Sequence, residues 1–163
     1  MKIGVFDSGI GGLSVARAIE KALPDQEIVF MNDQQNVPYG SKTLAEIRKF
    51  SWPIFQALVD RDCDIIVIAC NTVSMLLADE LRAHFSLPFI ALEPMIKPAA
   101  VMTKTGVIAV CATPRTLSSN RYIQLKAEFA QDIKVIEPDC SDWSFMIEHK
   151  QVDDQVIQKR ITN

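Results

Sequence analysis

Short runs of β-branched and apolar residues alternate along this chain with longer stretches of helical periodicity. Parallel strands need long connections, usually helices, so the alternation predicts an α/β fold with a parallel sheet flanked by helices. The predicted strands cover residues 2–7, 27–32, 64–70, 88–91, 106–110 and 134–137. The predicted helices cover residues 13–23, 43–61, 74–85, 114–130, 141 or 142 to 149, and 153–161.

The alternation breaks at residues 92–100, where Pro94 and Pro98 are predicted to interrupt regular structure. We place a domain crossing there, with a first α/β domain at 1–93 and the crossing segment plus a second α/β domain at 94–163. The last predicted helix runs to the final residues without a C-cap signal. We therefore expect the second domain to be incomplete.

Composition excludes several classes of partner. The net charge is −3 and the 17 Lys and Arg residues are spread along the chain, which argues against nucleic acid. The longest strongly apolar run, residues 65–70, is too short to span a bilayer, and the N-terminus carries no secretion signal. We expect a cytoplasmic protein that does not engage a membrane. Its four cysteines are scattered and unpaired in sequence, so neither a metal site nor a redox dithiol is indicated.

Ligands of open parallel sheets bind beyond the carboxyl ends of the strands, so the loops that follow the strands are informative. The first is residues 7–12, Asp-Ser-Gly-Ile-Gly-Gly, which leads into a helix whose free N–H groups can bind a carboxylate or phosphate. It matches neither the P-loop nor the dinucleotide fingerprint. The alternative is a plain turn in which Asp7 or Ser8 caps the helix.

Two further loops carry polar signals. Residues 37–43 form a rigid Pro-Tyr-Gly turn before a helix, for which a simple turn with Thr43 as N-cap is the alternative. In the third loop, Cys70 leaves a buried strand just before a helix start, where the helix dipole is expected to lower the pKa of its thiol. The alternative is a small packed cysteine. Asn71 and Thr72 favour a site, because two consecutive polar side chains are hard to explain as core.

These three loops together resemble the N-terminal signatures of the glutamate racemase family, in the same order: residues 6–15, residues 37–40, and Ala-Cys-Asn-Thr at 69–72. The similarity continues through Glu-Pro at 93–94, Lys-Pro-Ala at 97–99 and Ala-Thr-Pro-Arg-Thr-Leu at 112–117. It reaches Tyr122 and, weakly, Cys140. It therefore spans nearly the whole chain.

The resemblance implies an amino-acid racemase that interconverts L- and D-glutamate, a peptidoglycan precursor, without pyridoxal phosphate or metal. Two cysteines on opposite faces of the substrate exchange its α-proton, and Cys70 is the match to one of them, with Asp7 able to influence the transfer. A homodimer is also plausible for this family. The substrate-binding residues implied by the resemblance are Asp7, Ser8, Tyr39, Gly40, Asn71, Thr72 and Thr116.

The family's second cysteine lies in a Gly-Cys-Thr-His segment, and these 163 residues contain none. Cys140 matches a different family position, expected to be packed. Cys111, which follows a strand, could lie near the cleft, but we favour packing for both Cys63 and Cys111. Residues 34–36, Gln-Gln-Asn, replace a more usual Thr-Ala-basic stretch, which affects fine specificity. We therefore expect the chain by itself to be inactive.

Two other functions compete with this one. A short, non-catalytic derivative of the racemase fold would bind glutamate or a protein partner through the surviving cleft. A cysteine-dependent hydrolase would need His84 or His149 as its base, and neither lies in a supporting motif.

Overall fold

Four apolar runs form a parallel sheet in the computed structural model, which describes residues 1–151 and 153–162. The strands are β1 (Lys2–Asp7), β2 (Glu27–Asn32), β3 (Ile65–Ile68) and β4 (Phe89–Ala91), in the order β2-β1-β3-β4. In the register of the two central strands, Phe6 pairs with Ile68. The loops that follow β1 and β3 therefore leave the same edge of the sheet side by side.

Helices cover both faces of this sheet, which explains why the middle residues of its strands are apolar. They are α1 (Gly12–Ala22), α2 (Leu44–Val59) and α3 (Asn71–His84). On one face, Phe55 of α2 packs against Phe6 with ring centroids 4.5 Å apart. On the other, Ala16 of α1 belongs to a buried cluster with Val5 and Val67. Burial on both sides fixes the direction of each strand and so positions its carboxyl end.

The second half of the chain builds a smaller parallel sheet from β5 (Val107–Ala109) and β6 (Lys134–Ile136). The accompanying helices are α4 (Ile96–Met102), α5 (Pro114–Leu117), α6 (Asn120–Phe129), α7 (Trp143–Glu148) and α8 (Asp154–Thr162). Its buried cluster includes Ile96, Ile108 and Tyr122, together with Met75 from α3. The two halves therefore share packing around α3.

The predicted α/β fold is confirmed, and the helix predictions differ from the structure by more than two residues at three places. The segment 92–100, expected to be irregular, contains the start of α4. Pro98 is the third residue of that helix, where a backbone N–H has no intrahelical partner to lose. The predicted helix 114–130 is two helices, because the Ser119 side chain accepts a hydrogen bond from Tyr122 N (3.2 Å) and caps a new one. Helix α3 begins at Asn71 rather than at Ser74.

Candidate active site

Cys70 is the N-cap residue of α3, directly beyond the end of β3. Its carbonyl oxygen accepts the first helical hydrogen bond, from Ser74 N (2.9 Å), and its side chain is only 5% exposed. The Sγ atom lies 3.4 Å from Ser8 Oγ, in the loop after β1. The two neighbouring strands thus bring a thiol and a hydroxyl into contact.

The expected activation of this thiol is wrong for the ligand-free protein. Burial, together with the charge of the nearby Asp7 carboxylate, raises the pKa of Cys70 to about 11. Hydrogen bonds from Ser8 and from the backbone of Val73 act in the opposite direction but do not compensate. The free-energy cost of removing a thiolate from water is larger here than the stabilisation that the helix N-terminus gives to it. Cys70 is therefore a neutral thiol at physiological pH.

Asp7 performs the capping role that the sequence left as an alternative. Its Oδ2 accepts hydrogen bonds from Gly12 N (2.9 Å), at the start of α1, and from Gly9 N (3.2 Å), in the loop before it. Burial raises the pKa of Asp7; these backbone hydrogen bonds lower it, and the charge of Glu148 raises it again. A carboxyl group with a raised pKa beside a thiol is able to hold or release a proton close to Cys70.

The second predicted loop forms a 3₁₀ turn, Tyr39–Ser41, after a cis peptide bond between Val37 and Pro38. The Tyr39 hydroxyl donates to Asp33 Oδ2 (2.7 Å), and burial together with that hydrogen bond raises the pKa of Tyr39 far above its ordinary value. Thr43 caps α2 through a capping box with Glu46, as its alternative interpretation required. Tyr39 and Gly40 nevertheless both line the cavity described below.

Three threonine hydroxyls from the two halves of the chain form a closed ring. Thr72 Oγ1 lies 3.1 Å from Thr113 Oγ1 and 3.3 Å from Thr116 Oγ1, and the last two are 3.1 Å apart. Thr113 also caps α5 by accepting from Thr116 N (3.3 Å). A side chain from the loop after β5 thus meets the first turn of the helix that follows Cys70.

These loops enclose a cavity of about 660 Å³. Every residue predicted to act on or bind a substrate lines it: Asp7, Ser8, Tyr39, Gly40, Cys70, Asn71, Thr72 and Thr116. The cavity lining in the described part of the chain includes neither His84, which packs edge-on against Trp52, nor His149, which stacks on Phe145. A hydrolase built on those histidines finds no support in this geometry.

Sequence reasoning assigned neither Thr113 nor Glu148 to the site, although both line the cavity, and it left a place near the cleft open for Cys111, which lines the cavity too. Glu148, at the end of α7, accepts hydrogen bonds from Ile10 N and Gln34 Nε2, both at 2.8 Å. No local motif marks it, because the contact joins segments more than a hundred positions apart. Cys111 is exposed, so its predicted packing is wrong, whereas Cys63 and Cys140 are buried as expected.

Among residues 1–151 and 153–162, no group of three or more His, Cys, Asp and Glu side chains is arranged to hold a metal ion. Over that same part of the chain, no helix is long and apolar enough to cross a membrane.

A parallel sheet whose carboxyl edge presents a thiol, a carboxyl group and hydroxyls to one cavity defines an α/β protein with a small-molecule site. Residues 3–157 match the model of the Asp/Glu/hydantoin racemase family, and the chain belongs to that family. It is 42% identical over 146 residues to the glutamate racemase of Herpetosiphon aurantiacus, covering 90% of this chain and 58% of that protein. With the glutamate racemase of Ectopseudomonas mendocina it shares 42% identity over 139 residues, covering 85% and 53%.

Solved structures show the same relationship. Escherichia coli glutamate racemase, in complex with L-glutamate and the activator UDP-MurNAc-Ala, superposes with a TM-score of 0.90 at 31% identity, covering 99% of this chain and 62% of that one. The Francisella tularensis glutamate racemase, in complex with D-glutamate, gives 0.79 at 32% identity, covering 98% and 60%. The chain thus spans a little over half the length of the relatives that it matches.

Proposed function

We propose that this protein serves as a glutamate racemase, interconverting L- and D-glutamate by proton transfer at the α-carbon. The observation that carries the proposal is the placement of Cys70 at the start of α3, in contact with Ser8 and lining one cavity with Asp7. Membership of the racemase family and the L- and D-glutamate bound to related structures support the choice of substrate.

In this proposal Cys70 exchanges the α-proton on one face of glutamate, and Asp7 adjusts the protonation of that thiol. The ammonium group of a bound amino acid would bring a positive charge beside Cys70 and lower the pKa of its thiol. Ser8, Asn71 and Thr72 hold the substrate with hydroxyl, amide and backbone groups, since N–H groups at a helix start stabilise a carboxylate. Tyr39, Gly40 and Thr116 complete the substrate-binding surface.

A second acid or base must serve the opposite face, because inversion needs both. We propose the two-cysteine mechanism of the family, with no cofactor, in which a Gly-Cys-Thr-His segment supplies the second thiol. These 163 residues do not contain that segment. Cys111 lines the cavity, and its nearest influence in the structure is the neighbouring thiol of Cys140. We expect the 163-residue chain by itself to produce no D-glutamate.

The cellular setting follows from the same assignment. D-glutamate is a peptidoglycan building block, so we propose a cytoplasmic role in cell-wall precursor synthesis. Homodimer formation belongs to the same proposal, and light scattering of the purified protein tests it directly.

Enantiomer-resolved chromatography of L-glutamate incubated with the 163-residue chain tests the catalytic part. D-glutamate formation equal to that of a Cys70→Ala control is expected. Turnover above that control that is lost in Cys111→Ser would show that Cys111 acts as the second acid or base. That result would contradict the proposal. If the reading frame continues into a Gly-Cys-Thr-His segment, the longer chain should racemise glutamate, and Cys70→Ala should remove most of that rate.

A second candidate is a binding protein without catalysis. The neutral Cys70 thiol favours it, since a thiol that stays protonated is a poor base. Calorimetric titration with L-glutamate separates the candidates: saturable binding in a protein that stays inactive with every chain length the gene encodes would support binding alone.

A further inference from the structure

Strands β5 and β6 deliver two cysteines to the same edge of the smaller sheet. The strands are parallel, with Ala109 paired to Ile136, and Val110 N continues the pairing by donating to Ile136 O (2.9 Å). Cys111 follows directly, and Cys140 lies in the loop after β6. Two residues that are far apart in sequence therefore meet beyond the carboxyl ends of neighbouring strands.

The two thiols are neighbours. The side chain of Cys111 lies close enough to that of Cys140 to raise its pKa. Cys140 is buried, at 6% exposed, whereas Cys111 is exposed and lines the cavity. Burial and the neighbouring Cys111 raise the pKa of Cys140 to about 11. One sulfur is therefore accessible to a reagent, and the other is a shielded neighbour within reach of it.

The other two cysteines have different surroundings. Cys70 contacts the hydroxyl of Ser8, and Cys63 lies in the core of the larger sheet. Both are buried. The chain thus offers one exposed thiol next to a second thiol, together with two buried cysteines that serve as internal references.

We propose that Cys111 and Cys140 form a reversible oxidation site, at which a low-molecular-weight disulfide such as glutathione disulfide converts the two thiols into an intramolecular disulfide. The thiolate of Cys111 attacks one sulfur of the reagent, forming a mixed disulfide and releasing one thiolate. Cys140 then gives up its proton and attacks the Cys111 sulfur, releasing the second thiolate. Two protein thiols are oxidised, one reagent disulfide is reduced to two thiols, and the two protein protons pass to the released thiolates.

The new bond would join two segments that frame the cavity. Cys140 accepts a hydrogen bond from Trp143 N (3.2 Å) at the start of α7, whose far end carries Glu148. Glu148 in turn contacts the loop after β1 through Ile10 N (2.8 Å). A disulfide at Cys111 would therefore tether the beginning of the helix that reaches across to the Cys70 side of the cavity.

Peptide mapping of the oxidised protein tests the site without any measurement of activity. The folded protein is incubated with glutathione disulfide, alkylated, and digested with trypsin, which places Cys111 in peptide 105–115 and Cys140 in peptide 135–150. The expected product is these two peptides joined, two hydrogens lighter than their sum, and separated again by dithiothreitol. Peptide 62–82, which carries both Cys63 and Cys70, should remain unlinked.

Two serine variants, one at the proposed site and one outside it, serve as controls for the disulfide. Cys111→Ser should abolish the linked pair and leave Cys140 as a free thiol, whereas Cys63→Ser should leave the link unchanged. Recovery of Cys111 only as its glutathione adduct, with Cys140 free, would overturn the proposal, as would links found only between separate chains. The linkage is measured on the unmodified sequence, so a variant that fails to fold does not remove the test.

Discussion

The Sγ of Cys70 lies 3.4 Å from the Oγ of Ser8, across the gap between the two central strands of the larger sheet. A neutral thiol donates to the hydroxyl oxygen in this pair, and after deprotonation the hydroxyl can turn and donate to the thiolate. The contact thus serves both protonation states of Cys70. The balance between them is set mainly by burial, which favours the neutral form.

Alkylation of Cys70 in the ligand-free protein should therefore follow an unusually alkaline pH profile. Only the thiolate reacts with iodoacetamide, so the rate should rise through about pH 11 rather than near the value of about 8.5 that is typical of a free cysteine. Mass spectrometry of the alkylated peptide checks the profile, with the urea-unfolded chain as reference. A midpoint at or below that of the unfolded chain would contradict the burial argument.

The Asp7→Asn variant should move this profile towards lower pH. The Asp7 carboxylate raises the pKa of Cys70, and an amide removes its charge while keeping an oxygen for the N–H groups of α1. Glu148→Gln is the matched control, because it removes a charge from the same cavity without appearing among the influences on Cys70. Equal shifts in both variants would show a general charge effect instead.

Conformational stability should decline in alkaline solution because of the same thiol. A pKa raised in the fold means that the native state keeps its proton when the unfolded chain has lost it, so stability is full below about pH 8.5 and falls as pH rises towards about 11. Urea unfolding at several pH values measures this slope. In Cys70→Ala the slope should be shallower, although Cys140, whose pKa is also raised, keeps part of it. An unchanged slope would remove Cys70 as a contributor.

Helix α2 offers a test of its N-terminus that is independent of the cavity. Thr43→Ala removes the half of the capping box in which Thr43 Oγ1 accepts from Glu46 N, and should cost about 1 kcal/mol of unfolding free energy. Glu46→Gln can still reach back to the Thr43 backbone, so it should cost less than about 0.5 kcal/mol. Chemical denaturation of the two variants gives the comparison, and equal losses would argue against the box.

Gly40→Ala should disturb the junction between the two halves of the chain. A methyl group there would lie 2.6 Å from side-chain carbons of Thr113, closer than packed atoms tolerate, and the resulting overpacking should cost about 1–3 kcal/mol. At Gly11 the nearest atom to such a methyl group is Asp7 Oδ2 at 3.4 Å, so Gly11→Ala should cost less than about 1 kcal/mol. Thermal unfolding distinguishes the pair.

The sequence predicted well those features that depend on neighbouring residues. Alternating apolar runs located all six strands of the part of the chain that the structure describes, and the residues after β1 and β3 were expected at one edge, as they are. The capping role of Thr43 could be predicted because its partner, Glu46, is only three positions away in the sequence. These features could be predicted from local patterns because strand burial and helix caps depend on residues only a few positions apart.

Features that depend on distant residues were not predictable from those patterns. The contact between Glu148 and Ile10, and the pairing of Cys111 with Cys140, arise only when both sheets are assembled. The pKa of Cys70 was predicted in the wrong direction because the helix start is visible in sequence, whereas the depth of burial that outweighs it is not. The helix α4 was not predicted because a proline is compatible with a helix only in its first turn, and the sequence did not show that Pro98 lies there.

The closed ring of Thr72, Thr113 and Thr116 has two equivalent proton orders, clockwise and anticlockwise, since each hydroxyl can give to either neighbour. Rotation about three C–O bonds exchanges them without moving any heavy atom. A ligand carboxylate can accept a hydrogen bond from one hydroxyl that turns away from its neighbour, and a ligand ammonium group can donate to an oxygen lone pair of the ring. This cavity wall can therefore reverse its polarity while keeping its shape.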